Sequence, residues 1–274
     1  MLYDCRLAKG NVVKDRSGAG QPLNLTIESP KNVRRSEGAL EVRGPALIRS
    51  GGPAAKLYNG VRRSGEITIE AWVRPANTQQ DGPARIVTLS GNTSERNFTL
   101  GQEGDTIDVR LRTTKTSGNG APSLGGPKRS LAPKLTHIVY IRNRSGRARL
   151  FIDGKPRAEK RIVGATSNWN ANYRLALANE LSRDRPWLGT FHLVAIYSRD
   201  LSPGEIAAHF KAGVNAQSNA ASLAQQTQSP KEQFFEREIA PLLSRHCLEC
   251  HDTANHKGRL DLSKKSTAFA TSKK

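Results

Sequence analysis

The sequence predicts a mainly β protein, a two-sheet antiparallel sandwich followed by a short α-helical segment. Three observations carry this. From residue 2 to 200 the chain runs in short stretches that alternate apolar and polar residues, each cut by Gly, Pro, Asn or Asp. Helical periodicity is nearly absent there and first shows in LSPGEIAAHFKAG, residues 201–213. An uncharged linker, VNAQSNAASLAQQTQS at 214–229, then separates this long part from a helical segment, 230–274, that contains CLECH.

The elements follow in order. LYDC near the start is strand-like, with Cys5 as a small buried hydrophobe. GEITIEAWVRP sets Ile67, Ile69, Ala71 and Val73 on one face and Thr68, Glu70 and Trp72 on the other, the pattern of a half-buried strand. TIDVRLRTT alternates Ile107, Val109 and Leu111 with charged and polar residues. THIVYIRNRSGRARLFIDGK reads as two strands joined at Ser145-Gly146, with Asp153-Gly154 as the next turn. The stretch KTSGNGAPSLGGPKRS, 115–130, is too long and too rich in Gly and Pro for a hairpin, and reads as a binding loop or a mobile connection. Ser202, Pro203 and Glu205 then form a capping box that opens a short closing helix.

Charge narrows the partners. Lys and Arg outnumber Asp and Glu by 43 to 24, and by 34 to 18 within residues 1–213, so the larger part is the basic one. Such a field favours polyanions, acidic or sulfated polysaccharide among them. No recognition helix, zinc-finger spacing or RNA-binding aromatic motif is present, so nucleic acid is not an expected partner. No apolar run reaches the roughly 18 residues of a transmembrane segment, and the N-terminus lacks the layout of an export signal. Three cysteines build no disulfide framework.

A resemblance emerges from the first 213 residues. VVKDRSG, EITIEAWVRP, ARIVTLSG, RNFTLGQEGD, IDVRLRTT, THIVYIR, RLFIDGK, LALANEL and PWLGTFHLVAIYSRDLSPGEI together resemble the laminin-G-like branch of the concanavalin A-like lectin/glucanase superfamily. The resemblance implies a two-sheet jelly roll used for binding or adhesion to carbohydrate or protein. Some members bind calcium through loop acids. No such ligand set can be matched here, and Asp105 and Asp108 read as surface hairpin acids. The superfamily also holds glycoside hydrolases with an E-x-D-x-E strand. Glu66, Thr68 and Glu70 occupy those places, with Thr68 where the helper Asp belongs, so the stretch reads as a solvated strand face and the protein as no enzyme.

The second segment, SPKEQFFEREIAPLLSRHC, opens with another capping box, Ser229, Pro230 and Glu232, and continues with Phe235, Ile239 and Leu242 at helical spacing. Pro241 is expected to kink it. Beyond it, Cys247 and Cys250 are spaced so that two thiols can add to the two vinyl groups of one haem, and His251 is placed to ligate the iron. A zinc site from Cys247, Cys250 and two of His246, His251 and His256 is the rival, though its ligands are crowded into eleven residues; a redox dithiol would follow a strand rather than a helix.

FFEREIAPLLSRHCLECHDTANHKGRLDLS resembles the planctomycete-type cytochrome c domain. The resemblance implies covalent haem c on Cys247 and Cys250 with His251 as proximal ligand, a redox partner protein, and a periplasmic or extracellular location. It also implies that 230–274 is the start of a longer c-type domain whose sixth iron ligand follows Lys274, since neither Met1, His246 nor His256 is suited to that place. Taken together, the sequence reads as a haem-binding electron-transfer protein with a basic glycan- or protein-binding sandwich. The alternatives are a glycan-binding or glycoside-hydrolase-like protein, or a zinc-binding interaction protein.

Overall fold

The structure is a computed structural model and describes residues 1–7, 9–214, 234–248, 250–251 and 260–262. The chain divides into two units, Met1–Ser17 with Leu23–Ser222, and Gly18–Pro22 with Leu223–Lys274.

The first unit is a sandwich of two antiparallel sheets that fits a jelly roll. Its strands are β1 (Leu2–Tyr3), β2 (Val12–Val13), β3 (Leu25–Ile27), β4 (Val33–Ser36), β5 (Ala39–Val42), β6 (Ile48–Ser50), β7 (Ile67–Pro75) and β8 (Ala84–Ser90). They continue with β9 (Arg96–Glu103), β10 (Thr106–Leu111), β11 (Leu124–Gly125), β12 (Thr136–Arg142), β13 (Arg147–Ile152), β14 (Lys155–Arg161), β15 (Arg174–Leu177) and β16 (Gly189–Tyr197). One sheet runs β14-β13-β12-β7-β16-β5-β4, with β1 also paired to β16; the other runs β11-β10-β9-β8-β15-β6-β3-β2.

Alternation decides which side chains meet between the sheets. Ile67, Ile69, Ala71 and Val73 of β7 face Ile107, Val109, Leu111, Phe98 and Leu100 of the opposite sheet within one buried core. The turns appear where the sequence placed them. Asp153 and Gly154 both take positive φ, 51° and 72°, as a two-residue hairpin turn of type I′ demands.

Four expectations are corrected. The outer face of β7 is not solvated: Thr68, Glu70 and Trp72 are buried because a helix over residues 203–214 lies across them. The stretch 115–130 is not an open loop. It turns tightly through Ser117, whose backbone N–H bonds the Ala121 carbonyl at 2.9 Å, and then supplies β11 to the edge of a sheet. Cys5 is buried as expected but sits at φ 51° outside any strand. A helix the sequence did not announce, α1 (Ala55–Ser64), packs Leu57 and Val61 into the core, and its Gly60 leaves no room for a side chain against Ser198.

The helix over 203–214, α2, begins with the capping box read from the sequence. Ser202 N–H donates to Glu205 Oε2 at 2.8 Å and Glu205 N–H to Ser202 Oγ at 3.2 Å. In the second unit a π-helical turn, Phe235–Ile239, runs into α3 (Ala240–His246). Pro241 stands at the start of α3. A proline is tolerated at that place because the first helical turn needs no donated backbone bond, and the backbone stays helical through Ile239 and Ala240, so the helix is not interrupted there, contrary to expectation. The capping box at Ser229, Pro230 and Glu232 lies outside the described residues.

Candidate functional site

Three groups of chemistry-bearing residues stand out, two in the sandwich and one in the second unit. The first lies on the outer face of the β14-to-β4 sheet. Glu70, in the middle of β7, is 0 % exposed. His137 Nε2 donates to its Oε1 at 2.7 Å, Tyr197 Oη donates to Oε2 at 3.2 Å, and His209 of α2 brings Nδ1 within 3.2 Å of Oε2. Trp72 and His137 are cross-strand partners and stack at 4.5 Å, and Phe210 of α2 stacks on both at 6.0 Å. Burial alone would raise the Glu70 carboxyl. Hydrogen bonds from His137 and His209 outweigh that and hold it at about 2. Tyr197 is pushed well up by burial and by the adjacent Glu70 charge.

This arrangement binds α2 to the sheet; it does not expose an acid to a substrate. The helper position is held by Thr68, whose Oγ1 donates to the Arg199 carbonyl at 2.7 Å and accepts the Leu201 N–H at 3.1 Å. Two of the three motif positions are therefore committed to holding the segment that leads into α2. Sequence reading missed His137, Tyr197 and His209 as partners of Glu70 because they lie 67 to 139 residues away.

The second group lies on the outer face of the opposite sheet. Arg85 Nε donates to Glu180 Oε2 at 2.9 Å, and Glu180 Oε1 accepts from Ser90 Oγ and from the Leu181 N–H. Thr88 Oγ1 donates to Ser90 Oγ at 3.0 Å and lies 2.8 Å from Thr99 Oγ1, which accepts from Arg96 Nη1 at 3.0 Å. Arg85 and Arg96 are 1 % and 0 % exposed. Burial, then the nearby Arg85 charge, brings the Arg96 guanidinium down to about 10. The chain of bonds anchors the 178–187 loop over the sheet through Glu180. Its signal in the sequence was a single charge in each of two apolar runs, ARIVTLS and LALANEL. Around it, Arg49 pairs with Glu28 at 2.5 Å, Arg110 with Asp108 at 2.7 Å and Arg112 with Glu95 at 2.8 Å. Asp108 is thus engaged by an arginine, and among the described residues no three His, Cys, Asp or Glu side chains are grouped to hold a metal ion.

The third group is the predicted haem motif. Cys247 caps α3, its N–H bonding the Leu243 carbonyl at 2.9 Å. The chain then folds tightly, so that Cys250 N–H and His251 N–H both reach the Cys247 carbonyl, at 3.2 and 3.0 Å. Both thiols are free and partly exposed. The His251 ring places Nδ1 3.3 Å from the Leu260 carbonyl, and Leu262 N–H donates to the His251 carbonyl at 2.8 Å. Leu260 and Leu262 of KGRLDLS therefore lie beside His251. The crowded zinc set is not assembled from His246, Cys247, Cys250 and His251; His256 lies outside the described residues.

The sandwich defines the class. Residues 49–207 match the family model described as the concanavalin A-like lectin/glucanases superfamily, Laminin_G_3, and the chain belongs to that family. Among solved structures, it is similar to botulinum neurotoxin type C in a structure concerned with its dependence on two ganglioside molecules for cell entry (15 % identity, TM-score 0.56, 77 % of this chain and 51 % of that one). It is likewise similar to Trypanosoma rangeli sialidase in complex with 2,3-difluorosialic acid (14 %, 0.55, 77 % and 32 %) and to the receptor binding domain of botulinum neurotoxin type G (15 %, 0.53, 77 % and 50 %). The chain thus spans about a third to a half of the length of these structures, and the likeness is one of fold. No curated protein matches the chain.

Proposed function

We propose that the sandwich is a non-catalytic binding module for acidic glycan. The observation that carries this is the charge balance of the folded domain. Its 34 basic residues outnumber its 18 acidic ones, and much of the acidic set is spent on internal pairs: Asp4 with Arg6 and Arg16, Glu41 with Arg34 and Arg43, Glu28 with Arg49 and Arg183, Glu180 with Arg85. The excess cations are left to face solvent, where a polyanion can replace their counter-ions. The shared fold with a sialidase and a toxin whose titles name difluorosialic acid and gangliosides supports a glycan as the ligand class. Burial of Glu70 supports binding without cleavage. The test is calorimetric titration of the full chain with polygalacturonate beside a reducing-end assay. Heat of binding with no sugar released is expected, and hydrolysis that vanishes in Glu66→Gln or Glu70→Gln contradicts it.

A second reading concerns the other unit, where the residues present fit haem c. The specific observation is the Leu260 carbonyl beside His251 Nδ1. An Nδ1–H donated there fixes the tautomer and orientation of the ring and leaves Nε2 as the metal-binding nitrogen. Cys247 and Cys250, on one turn, would hold the group covalently, and His251 would ligate the iron. Haem would supply one-electron redox chemistry. On this reading the protein works outside the cytoplasm, passes electrons to a partner protein, and is positioned on a glycan by its sandwich. Expression with haem-maturation machinery and an added export signal checks it: haem that stays with the polypeptide in a denaturing gel is the expected outcome, and stoichiometric zinc in its place contradicts it.

A further inference from the structure

We infer that a linear acidic polysaccharide lies along one side of the sandwich, where the edge strands β14 and β11 of the two sheets come together. The inference rests on the acidic-glycan reading above and gives that ligand a place.

The basic excess is concentrated. Residues 112–161 hold thirteen Lys and Arg against two acids, Asp153 and Glu159, so this stretch carries most of the sandwich's net positive charge. The fold gathers much of it on one side. Edge strand β14 contributes Lys155, Arg157, Lys160 and Arg161, all exposed, and the loop leaving β11 contributes Lys128 and Arg129. The two edges are joined directly, Lys160 Nζ donating to the Ser123 carbonyl at 2.9 Å. None of these six cations makes an ion pair among the described residues. The single acid on β14, Glu159, is taken by Arg147 at 2.8 Å. On the other strands many arginines are engaged: Arg34, Arg43, Arg49, Arg85, Arg110 and Arg112 each hold a carboxylate.

Cations on an edge strand also keep it from pairing with a second sheet. Lys155 and Pro156 on β14 suffice for that, and Lys128 and Arg129 stand off the edge, so protection alone does not account for the set. The geometry suits an extended polymer. Alternate residues of a strand repeat at about 6.5–7 Å; β14 carries its cations along this edge with one register shift at Arg157, and its register sets Arg161 opposite Arg147 and Glu159 opposite Arg149 on the neighbouring strand. A nucleic acid would gain from aromatic stacking as well. The strands themselves offer no exposed ring: their one aromatic residue, Phe151, is buried under Arg149, and the exposed ring beside Gly154, Phe210 of α2, is stacked on Trp72 and His137.

The experiment measures affinity of the full chain for dextran sulfate, neutral dextran and a single-stranded oligonucleotide. The wild type is compared with a triple variant, Lys155→Ser, Arg157→Ser and Arg161→Ser. A control loses the same charge near the opposite edges, β2 and β4, through Lys9→Ser, Lys14→Ser and Lys31→Ser. Unchanged thermal unfolding of both variants confirms that they fold. The edge variant should bind dextran sulfate on the order of 30-fold more weakly and the control within about threefold of wild type. Equal losses in the two variants overturn the placement and leave the acidic-glycan reading standing. Failure of the wild type to bind dextran sulfate overturns that reading itself. Tighter binding of the oligonucleotide, lost in the edge variant, overturns the class of partner.

Discussion

Replacing Glu70 by Gln tests whether the buried carboxylate fastens α2 to the sheet. The side chain keeps its size and can still accept the His137 Nε2–H bond, but it no longer carries the charge that His209 and Tyr197 address. A carboxyl taken from its ordinary 4.5 to about 2 on folding contributes about 3 kcal/mol at pH 5.5. The folded value is depressed, so this stabilisation is complete above 4.5 and is lost as pH falls through the folded value. His209 has the opposite sign. Its imidazole is raised, first by the hydrogen bond to Glu70 against the effect of burial, with Glu205 also raising and Arg199 lowering it. Its share is therefore complete below 6.5 and fades as pH rises through the raised value. The two describe one interaction and do not add. Glu70→Gln should cost about 2–3 kcal/mol at pH 5.5, lowering Tm by about 5–10 °C for a domain of this size. Urea unfolding of the full chain, followed by tryptophan fluorescence at pH 5.5 and 3, measures it. The gap between wild type and variant should narrow to roughly half at pH 3. A variant within about 0.5 kcal/mol of wild type at pH 5.5, or a gap that stays constant with pH, would refute the reasoning.

Three further outcomes follow from the same geometry. Glu180→Leu leaves Arg85 buried without its carboxylate and should cost about 3–5 kcal/mol in urea unfolding; adding Arg85→Met should recover part of it, and singles that simply sum would contradict the pairing. Gly189 holds φ 151°, and a Cβ there would collide with the Arg74 carbonyl and the Trp187 ring, so Gly189→Ala should cost about 3 kcal/mol or more by calorimetry, with a neutral result counting against the close approach. Cys247→Ala with Cys250→Ala should abolish covalent haem while leaving the sandwich's unfolding transition in place, and retained haem in a denaturing gel would show another attachment.

The sheets were legible because alternation fixes which residues face inward: Ile67, Ile69, Ala71 and Val73, and Ile107, Val109 and Leu111, all reach the core. What lay beyond one strand was not. The outer face of β7 reads as polar from Thr68 and Glu70, yet α2, more than 130 residues later in sequence, covers it, so a pattern that ordinarily marks solvent here marks a buried ion cluster. α1 escaped notice because no side chain caps it at Ala54 and Asn59-Gly60 interrupts it, while its stability comes from Leu57 and Val61 meeting the core. The Arg85–Glu180 pair joins residues 95 apart, a separation no local pattern reveals. The spacing of Cys247, Cys250 and His251 is a local pattern that the sequence displays directly, whereas the Leu260 carbonyl beside the histidine ring needed the fold of the chain to be seen.

The central claim, that the sandwich holds acidic glycan by charge, is tested most directly by the salt dependence of its affinity. Binding of the full chain to polygalacturonate, measured between 50 and 300 mM NaCl and set beside neutral dextran, should weaken steeply and linearly on a log–log plot, with several counter-ions released per complex, and neutral dextran should not bind. Salt-independent affinity, or equal affinity for the neutral polymer, would contradict it.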